Sequence, residues 1–206
     1  MNIDTGFELS LAGIDKGHHK MTYKGVNCAK CPFDYVMYQM IISEIKPDLI
    51  IEIGANEGGS ALYMADLLQL QGEGVLHTID IADRVNPLAK AHERITFFGN
   101  GWDNYDLNLA KGYETVLVIE DSSHTYQNTL DAINRFAPVV TPGSYLIVED
   151  GIIDELGLTA EFDGGPVKAI KEFLPAHNEF QLDTYWSDFF GKNATFNTIG
   201  YLKKNK

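Results

Sequence analysis

The feature that most restricts how this chain can fold is an alternation of helical patterns with short apolar runs. Apolar residues recur at helical spacing in segments 33–45, 60–70, 125–136 and 167–174. Around these segments lie runs typical of strands buried on both faces: LIIEI (49–53), VLHTIDI (75–81), ITFF (95–98), VLVI (116–119) and YLIV (145–148). The alternation predicts an α/β fold in which helices cover both faces of a mostly parallel sheet.

The pattern changes after residue 150. Two strand-like runs, EFQLDTYW (179–186) and TFNTIGYL (195–202), have no helical pattern between them. We therefore expect them to pair as an antiparallel C-terminal hairpin at the edge of the sheet, which gives seven strands in all. Residues 1–32 are predicted to form an irregular N-terminal arm or cap, and residues 33–206 a single domain.

Composition restricts the partners. The net charge of −13 over 206 residues argues against nucleic acid and anionic membranes, because both are polyanions. The N-terminus shows no secretory signal, and no apolar run reaches the roughly 18 residues that span a bilayer. Two cysteines cannot form a disulfide framework. We expect a soluble cytoplasmic protein with a small-molecule partner, and a homo-oligomer is left open.

The run IEIGANEGGS (51–60) follows the strand–turn–helix order of a cofactor-binding turn. Gly54 stands at a sharp turn, and Gly58 and Gly59 would let backbone approach a ligand at a helix N-terminus. The run lacks the dinucleotide fingerprint, because Asn56 stands where a glycine is required. The alternative is that the glycines only cap and pack the helix.

Two acids support a cofactor at this turn, one just before it and one at the end of the next predicted strand. Glu52 lies two residues before the first glycine, where it would disfavour a pyrophosphate and favour a cationic ligand. This fits the sulfonium and amino group of S-adenosylmethionine better than a nicotinamide dinucleotide. Asp80 is near the end of the second predicted strand, where an acid can hold the hydroxyls of a ribose.

Three further carboxylates stand at predicted strand ends: Asp121, Glu149 and Asp150. The carboxyl ends of parallel strands share one edge, and neighbouring strands are about 4.8 Å apart, so these acids can converge. Clustered carboxylates repel each other unless a cation is present, and oxygen ligands suit Mg²⁺ or a similar ion. The alternative is that they cap the helices that follow. Glu120 would point away as a spare carboxylate.

His124 stands three residues after Asp121. It is either a general base near the metal site or an ordinary first-turn or surface histidine. Cys28 and Cys31, with His18 and His19 upstream, allow a zinc site, but free thiols are the simpler interpretation.

An ordered set of motifs covers residues 23 to 202: Lys30-x-Pro32-x-Asp34 with Tyr38-Gln39, then segments 47–68, 79–81, 120–126, 141–151 and 195–202. This set resembles the cephalosporin hydroxylase / rhamnosyl O-methyltransferase family of class I S-adenosylmethionine-dependent methyltransferases. The resemblance implies a Rossmann-like methyltransferase fold, with the cofactor over the Gly54 turn and its ribose on Asp80. It also implies Mg²⁺ on Asp121, Glu149 and Asp150.

The resemblance implies a cofactor-binding set of Glu52, Gly54, Asn56, Gly58, Ser60, Asp80, Asn100, Gly101, Trp102 and Asp121. Two positions depart from related enzymes. Catechol-type O-methyltransferases have a lysine base three residues after the first metal acid, where this chain has His124. The GNGW run (99–102) lacks the acid common after the third strand, although Trp102 could stack on adenine.

The expected reaction is methyl transfer to a hydroxyl of a sugar or a small natural-product scaffold, with Asp121 and His124 as catalytic residues. One alternative is a cofactor-binding partner of an oxygenase that has no transfer activity of its own. Another is a nicotinamide-dependent oxidoreductase. The N-terminal arm and the 151–166 loop would shape the acceptor pocket. Tyr23, Trp186 and Phe189 either line that pocket or pack in the core.

Overall fold

A seven-stranded mixed sheet forms the centre of the chain, of which the computed structural model describes residues 6–205. The chain first forms a separate small hairpin of β1 (Thr22–Tyr23) and β2 (Val26–Asn27). The strands of the main sheet follow in the order β3 (Leu49–Ile53), β4 (Val75–Ile79), β5 (Ile95–Phe98), β6 (Val116–Glu120), β7 (Tyr145–Val148), β8 (Phe180–Leu182) and β9 (Tyr201–Lys204). The order across the seven-stranded sheet is β5-β4-β3-β6-β7-β9-β8. Strands β3 to β7 are parallel, and β9 is antiparallel to both its neighbours. The predicted sheet is confirmed.

Helices lie on both sides of this sheet. They are α1 (Leu11–His18), α2 (Pro32–Ile45), α3 (Gly59–Gln71), α4 (Pro87–Lys90), α5 (Tyr126–Phe136), α6 (Gly165–Ala176) and α7 (Thr184–Ser187). Alternate residues of each strand face opposite cores: Ile50 packs with α2 and α3, whereas Ile51 packs with α5 and α6. Burial on both faces explains why these strands are apolar throughout.

The N-terminal arm is more ordered than predicted, since α1 and the β1–β2 hairpin lie within it. Ser10 begins α1 by accepting a hydrogen bond from the Gly13 N–H. Residues 1–5 of the predicted arm and residue 206 lie outside the described range. The domain boundary at residue 32 stays a prediction.

The two C-terminal strands are shorter than predicted. Residues 179–186 form a strand only over Phe180–Leu182, because Asp183 accepts a hydrogen bond from the Tyr185 N–H and starts α7. Of the predicted strand 195–202, only the last two residues belong to β9. The rest is a turned segment, held where the Phe196 N–H donates to Asp34 on α2 at 3.1 Å.

The parallel strands end in register, and this positions the site. Ile53 at the end of β3 pairs with Ile79 of β4 and with Glu120 of β6, and Glu120 pairs with Val148 of β7. The next residue along each strand, Asp80, Asp121 or Glu149, therefore lies at the same edge. Within the described residues, no helix is long and apolar enough to cross a membrane.

Candidate active site

A cavity of about 520 Å³ opens at the carboxyl edge of the parallel strands. Eight of the residues predicted from the sequence line it, and they are Gly54, Asn56, Ser60, Asp80, Trp102, Asp121, His124 and Asp150. They come from the residues that follow β3, β4, β5, β6 and β7, except Ser60, which lies in the first turn of α3. The structure thus brings the predicted cofactor turn and most of the predicted metal site to one cavity.

The chain can make the turn after β3 only with glycine at position 54. Gly54 has φ +106°, and a Cβ built there would lie 1.9 Å from the carbonyl oxygen of Asp121. The turn is fixed across the cavity by Asp80, whose Oδ2 accepts a hydrogen bond from the Asn56 N–H at 2.9 Å. The close approach of Gly54 to Asp121 places the predicted cofactor turn against the first acid of the predicted metal site.

The other two glycines of the turn face protein. A Cβ on Gly58, which has φ +83°, would lie 2.9 Å from the Cβ of Ala89. A Cβ on Gly59 would lie 2.1 Å from the carbonyl oxygen of Asn27 in the β1–β2 hairpin. Gly58 and Gly59 therefore permit close packing of α3, and of these two only Gly59 borders the cavity.

Glu52 is fully buried behind the turn rather than in the cavity wall. Its two oxygens accept hydrogen bonds from the hydroxyls of Ser60 and Thr78. Burial raises the pKa of Glu52 to about 7, against the opposing effects of Lys30 and the two hydroxyls. The structure thus places Glu52 where it orients Ser60, which does line the cavity.

The region after β5 supplies one predicted wall residue. Trp102 borders the cavity and donates its indole N–H to Asn128 at 3.2 Å, whereas Asn100 and Gly101 are outside the lining. Next to Gly101 lies Ile81, which sequence reasoning missed. Ile81 borders the cavity with 83% of its surface exposed, so it offers an apolar face beside Asp80.

Asp121, His124 and Asp150 form a cluster in which one ligand atom from each lies within 4.8 Å of the others. His124 has a left-handed backbone (φ +57°), and its Nε2 lies 3.2 Å from Oδ2 of Asp150. Its Nδ1 is buried and has no hydrogen-bond partner among the described residues. Burial lowers the pKa of His124, but Asp150 and Asp121 raise it more, and the net direction is upward.

Glu149, the remaining predicted ligand, is buried beside this cluster. Its Oε1 accepts hydrogen bonds from the Lys30 ammonium at 2.6 Å and from the Tyr38 hydroxyl at 2.7 Å. Lys30 also donates to Asp121, so it bridges two of the three predicted carboxylates. Lys30 belongs to the family motif, but the motif alone does not predict its contact with these carboxylates.

The donor set suits a divalent cation. Asp121 and Asp150 offer carboxylate oxygens, and His124 offers an imidazole nitrogen within the same cluster. Glu149 adds a carboxylate at the neighbouring strand end, with one of its oxygens held by Lys30 and Tyr38. The ligand set of Asp121, Glu149 and Asp150 stays a prediction.

The two cysteines are free and buried, and neither belongs to a metal-competent cluster within residues 6–205. Burial raises the pKa of Cys28 to about 11 and that of Cys31 to about 12, so both are thiols at neutral pH. His18 and His19 group instead with Asp15 at the end of α1. The structure thus does not bring together the Cys₂His₂ set considered from the sequence.

The N-terminal arm forms one wall of the cavity. Its contribution is His18, His19, Asn27, Cys28, Ala29 and Lys30. None of the described lining residues comes from 151–166. Of the three aromatic residues considered as lining, Tyr23 donates a hydrogen bond to Asp66, Trp186 is buried against Tyr145, and Phe189 stacks on Trp186. None of these three borders the cavity.

Solved structures with this fold include two of CmcI. One, described with Mg-SAM, superposes with a TM-score of 0.68 at 21% identity and covers 91% of this chain and 78% of that chain. The other, described with SAH, gives a TM-score of 0.72 at 19% identity and covers 100% and 89%. At these identities the likeness shows the fold alone.

Sequence relatives give the family. The rhamnosyl O-methyltransferase of Mycobacterium tuberculosis is 29% identical over 197 residues, which are 90% of this chain and 79% of that protein. That of Mycobacterium leprae is 29% identical over 190 residues, 88% of this chain and 82% of that protein. The description of the matching family is Rhamnosyl O-methyltransferase/CmcI, and the match spans residues 16–205. The resemblance inferred from the motifs is thereby confirmed: the chain belongs to the rhamnosyl O-methyltransferase/CmcI family.

Proposed function

We propose that this protein transfers a methyl group from S-adenosylmethionine to a hydroxyl of a small acceptor, a sugar or a natural-product scaffold, with the aid of a divalent cation such as Mg²⁺. The observation that carries the proposal is the single cavity that holds both the Gly54 turn with Asp80 and the cluster of Asp121, His124 and Asp150. Family membership and the names of the relatives support O-methyl transfer as the reaction class.

The cofactor would bind over the turn after β3. Asp80 would hold the ribose hydroxyls, since its carboxylate faces the cavity next to the Asn56 N–H. Ile81 and Trp102 provide apolar surface for the adenine on the same side. A nicotinamide dinucleotide fits less well, because Asn56 replaces the second glycine of its fingerprint.

The acceptor hydroxyl would lie near the carboxylate cluster. A divalent cation held by Asp121 and Asp150, with Glu149 as a neighbouring donor, would supply Lewis acidity that lowers the pKa of a hydroxyl. His124 lines the cavity beside Asp150, 3.2 Å from it, and would accept the proton that the hydroxyl releases. The protein then contributes mainly alignment of the acceptor oxygen with the methyl group.

The test is calorimetry with S-adenosylmethionine and NAD, followed by a transfer assay against a panel of sugars and phenolic scaffolds. We expect the protein to bind S-adenosylmethionine and not NAD. Chelation of divalent cations should abolish methyl transfer, and added Mg²⁺ should restore it. Asp121→Asn should weaken cation binding and remove transfer. Transfer that persists under full chelation would contradict the role of the cation. Cofactor binding without transfer to any acceptor would favour the alternative of a cofactor-binding partner.

A further inference from the structure

Lys30 has an unusual position for a lysine, with 5% of its surface exposed. Its ammonium donates to Asp121 and to Glu149, and the latter contact measures 2.6 Å. Lysine is almost never this buried unless it is paired, and here two carboxylates pair with it at once. The side chain therefore enters the cation site from the N-terminal arm.

Other hydrogen bonds hold the two carboxylate residues that Lys30 contacts, Glu149 and Asp121, in place. Glu149 also accepts a hydrogen bond from Tyr38, and Tyr38 accepts one from the Asn197 amide at 3.4 Å. Asp121 follows β6 directly, and its N–H donates to the Ile53 carbonyl at 2.8 Å. The carboxylates are thus held close together, and their mutual repulsion must be offset by positive charge.

We propose that Lys30 is a built-in counter-ion that keeps Asp121 and Glu149 together without a metal ion and competes with the divalent cation for these carboxylates. The proposal rests on the divalent cation site proposed above. Lys30 is a positioning residue in this scheme, because it acts through the carboxylates.

The competition has a measurable consequence. In Lys30→Met, the two carboxylates lose their counter-ion, so the metal-free protein should melt roughly 6–20 °C below the wild type. Added Mg²⁺ should then raise the Tm of the variant by more than it raises that of the wild type. Calorimetry should show Mg²⁺ binding to the variant tighter on the order of 10-fold, because the repulsion from the ammonium is gone.

The matched control is Lys24→Met. Lys24 forms an ion pair with Asp66 at 2.6 Å, but its side chain is 52% exposed and lies outside the cavity lining. Its loss should lower the Tm by less than about 4 °C and leave the Mg²⁺ response unchanged. If Lys30→Met does not fold, the double variant Lys30→Met with Glu149→Gln should fold, because only one charged carboxylate of the pair remains.

The outcomes separate this inference from the proposed function. A wild-type protein that binds no Mg²⁺ by calorimetry would overturn the cation site itself. A wild-type protein that binds Mg²⁺, with a Lys30→Met variant that responds to Mg²⁺ like Lys24→Met or binds it more weakly, would overturn the role of Lys30 alone. Failure of the double variant to fold would count against that role as well.

Discussion

The residue with the most direct proposed role in chemistry is His124, which is held in a left-handed conformation beside Asp150. We expect His124→Ala to lower the turnover rate by about 10²–10⁴-fold, the usual contribution of a general base. Cofactor affinity, measured by calorimetry, should change little. His177→Ala is the control, because His177 pairs with Glu179 at 3.1 Å outside the cavity lining. Turnover within a few-fold of the wild type in His124→Ala would argue against a base at this position.

A second prediction at this scale concerns Gly54. Gly54→Ala would place a methyl group 1.9 Å from the Asp121 carbonyl in a backbone conformation that alanine rarely adopts. We expect a loss of several kcal/mol of unfolding free energy in urea, or no folded protein. Gly112→Ala shares the positive φ but meets open space, so it should cost only the backbone strain, about 1–3 kcal/mol. If the two variants lost the same unfolding free energy, the backbone at Asp121 would be able to move away from the added methyl group.

At the scale of elements, α2 and the C-terminal segment are joined through Asp34. Its oxygens accept hydrogen bonds from the Thr195 hydroxyl at 2.5 Å and from the Phe196 N–H. Burial raises the pKa of Asp34 from 3.8 to about 7, the Thr195 hydroxyl opposes this, and Glu149 adds to it. The carboxyl is therefore stabilised in its protonated form in the folded state.

The sign of the pH dependence follows. Between pH of about 4 and 7 the folded chain binds more protons at Asp34 than the unfolded chain, so stability falls as pH rises through this window. In Asp34→Asn this contribution is absent, and the unfolding free energy should fall less between pH 5 and pH 8. Urea denaturation at both pH values measures the difference. Equal decreases in the two proteins would mean that Asp34 keeps an ordinary pKa.

The same contact shows where sequence patterns stop being sufficient. The runs 49–53, 95–98 and 145–148 are strands at the predicted bounds, because burial on both faces leaves a purely apolar signature. The run TFNTIGYL also has the residue types of a strand, yet residues 195–200 are turned. Asp34 takes the Phe196 N–H, and Ile199 has φ +51°. The hydrogen bond to Asp34, more than 160 positions away, overrides the strand preference of residues 195–200. No pattern within the run itself predicts this contact.

The candidate site was predictable to a similar degree. Acids at the ends of parallel strands have to share one edge, so Asp80, Asp121, Glu149 and Asp150 could be assigned to that edge from the strand pattern. The burial of Glu52 could not, because it depends on the hydroxyls of Ser60 and Thr78. Lys30 is 91 residues from Asp121 in sequence, and only the folded arm brings them together.

At the scale of the whole molecule, the arm and the sheet enclose one cavity. The arm lines the cavity with residues 18–19 and 27–30, and the Asn27 carbonyl lies against Gly59 at the start of α3. The hairpin therefore touches the helix whose N-terminus faces the proposed cofactor. Binding at the Gly54 turn should accordingly restrict the motion of the arm as well as that of the turn.

This coupling predicts the hydrogen exchange of the arm. With saturating S-adenosylhomocysteine, backbone amides in segment 18–30 should exchange more slowly, together with those of the 54–60 turn, because binding lowers the population of locally opened states. Segment 180–182 is the internal control, since β8 lies at the far edge of the sheet and outside the cavity lining. If the 54–60 turn became protected while segment 18–30 exchanged at its original rate, the arm would be independent of the cofactor. If exchange slows in segments 18–30 and 54–60 but not in segment 180–182, the arm forms part of the cofactor site. The physical reason would be the contact of the Asn27 carbonyl with Gly59, which packs the arm against α3.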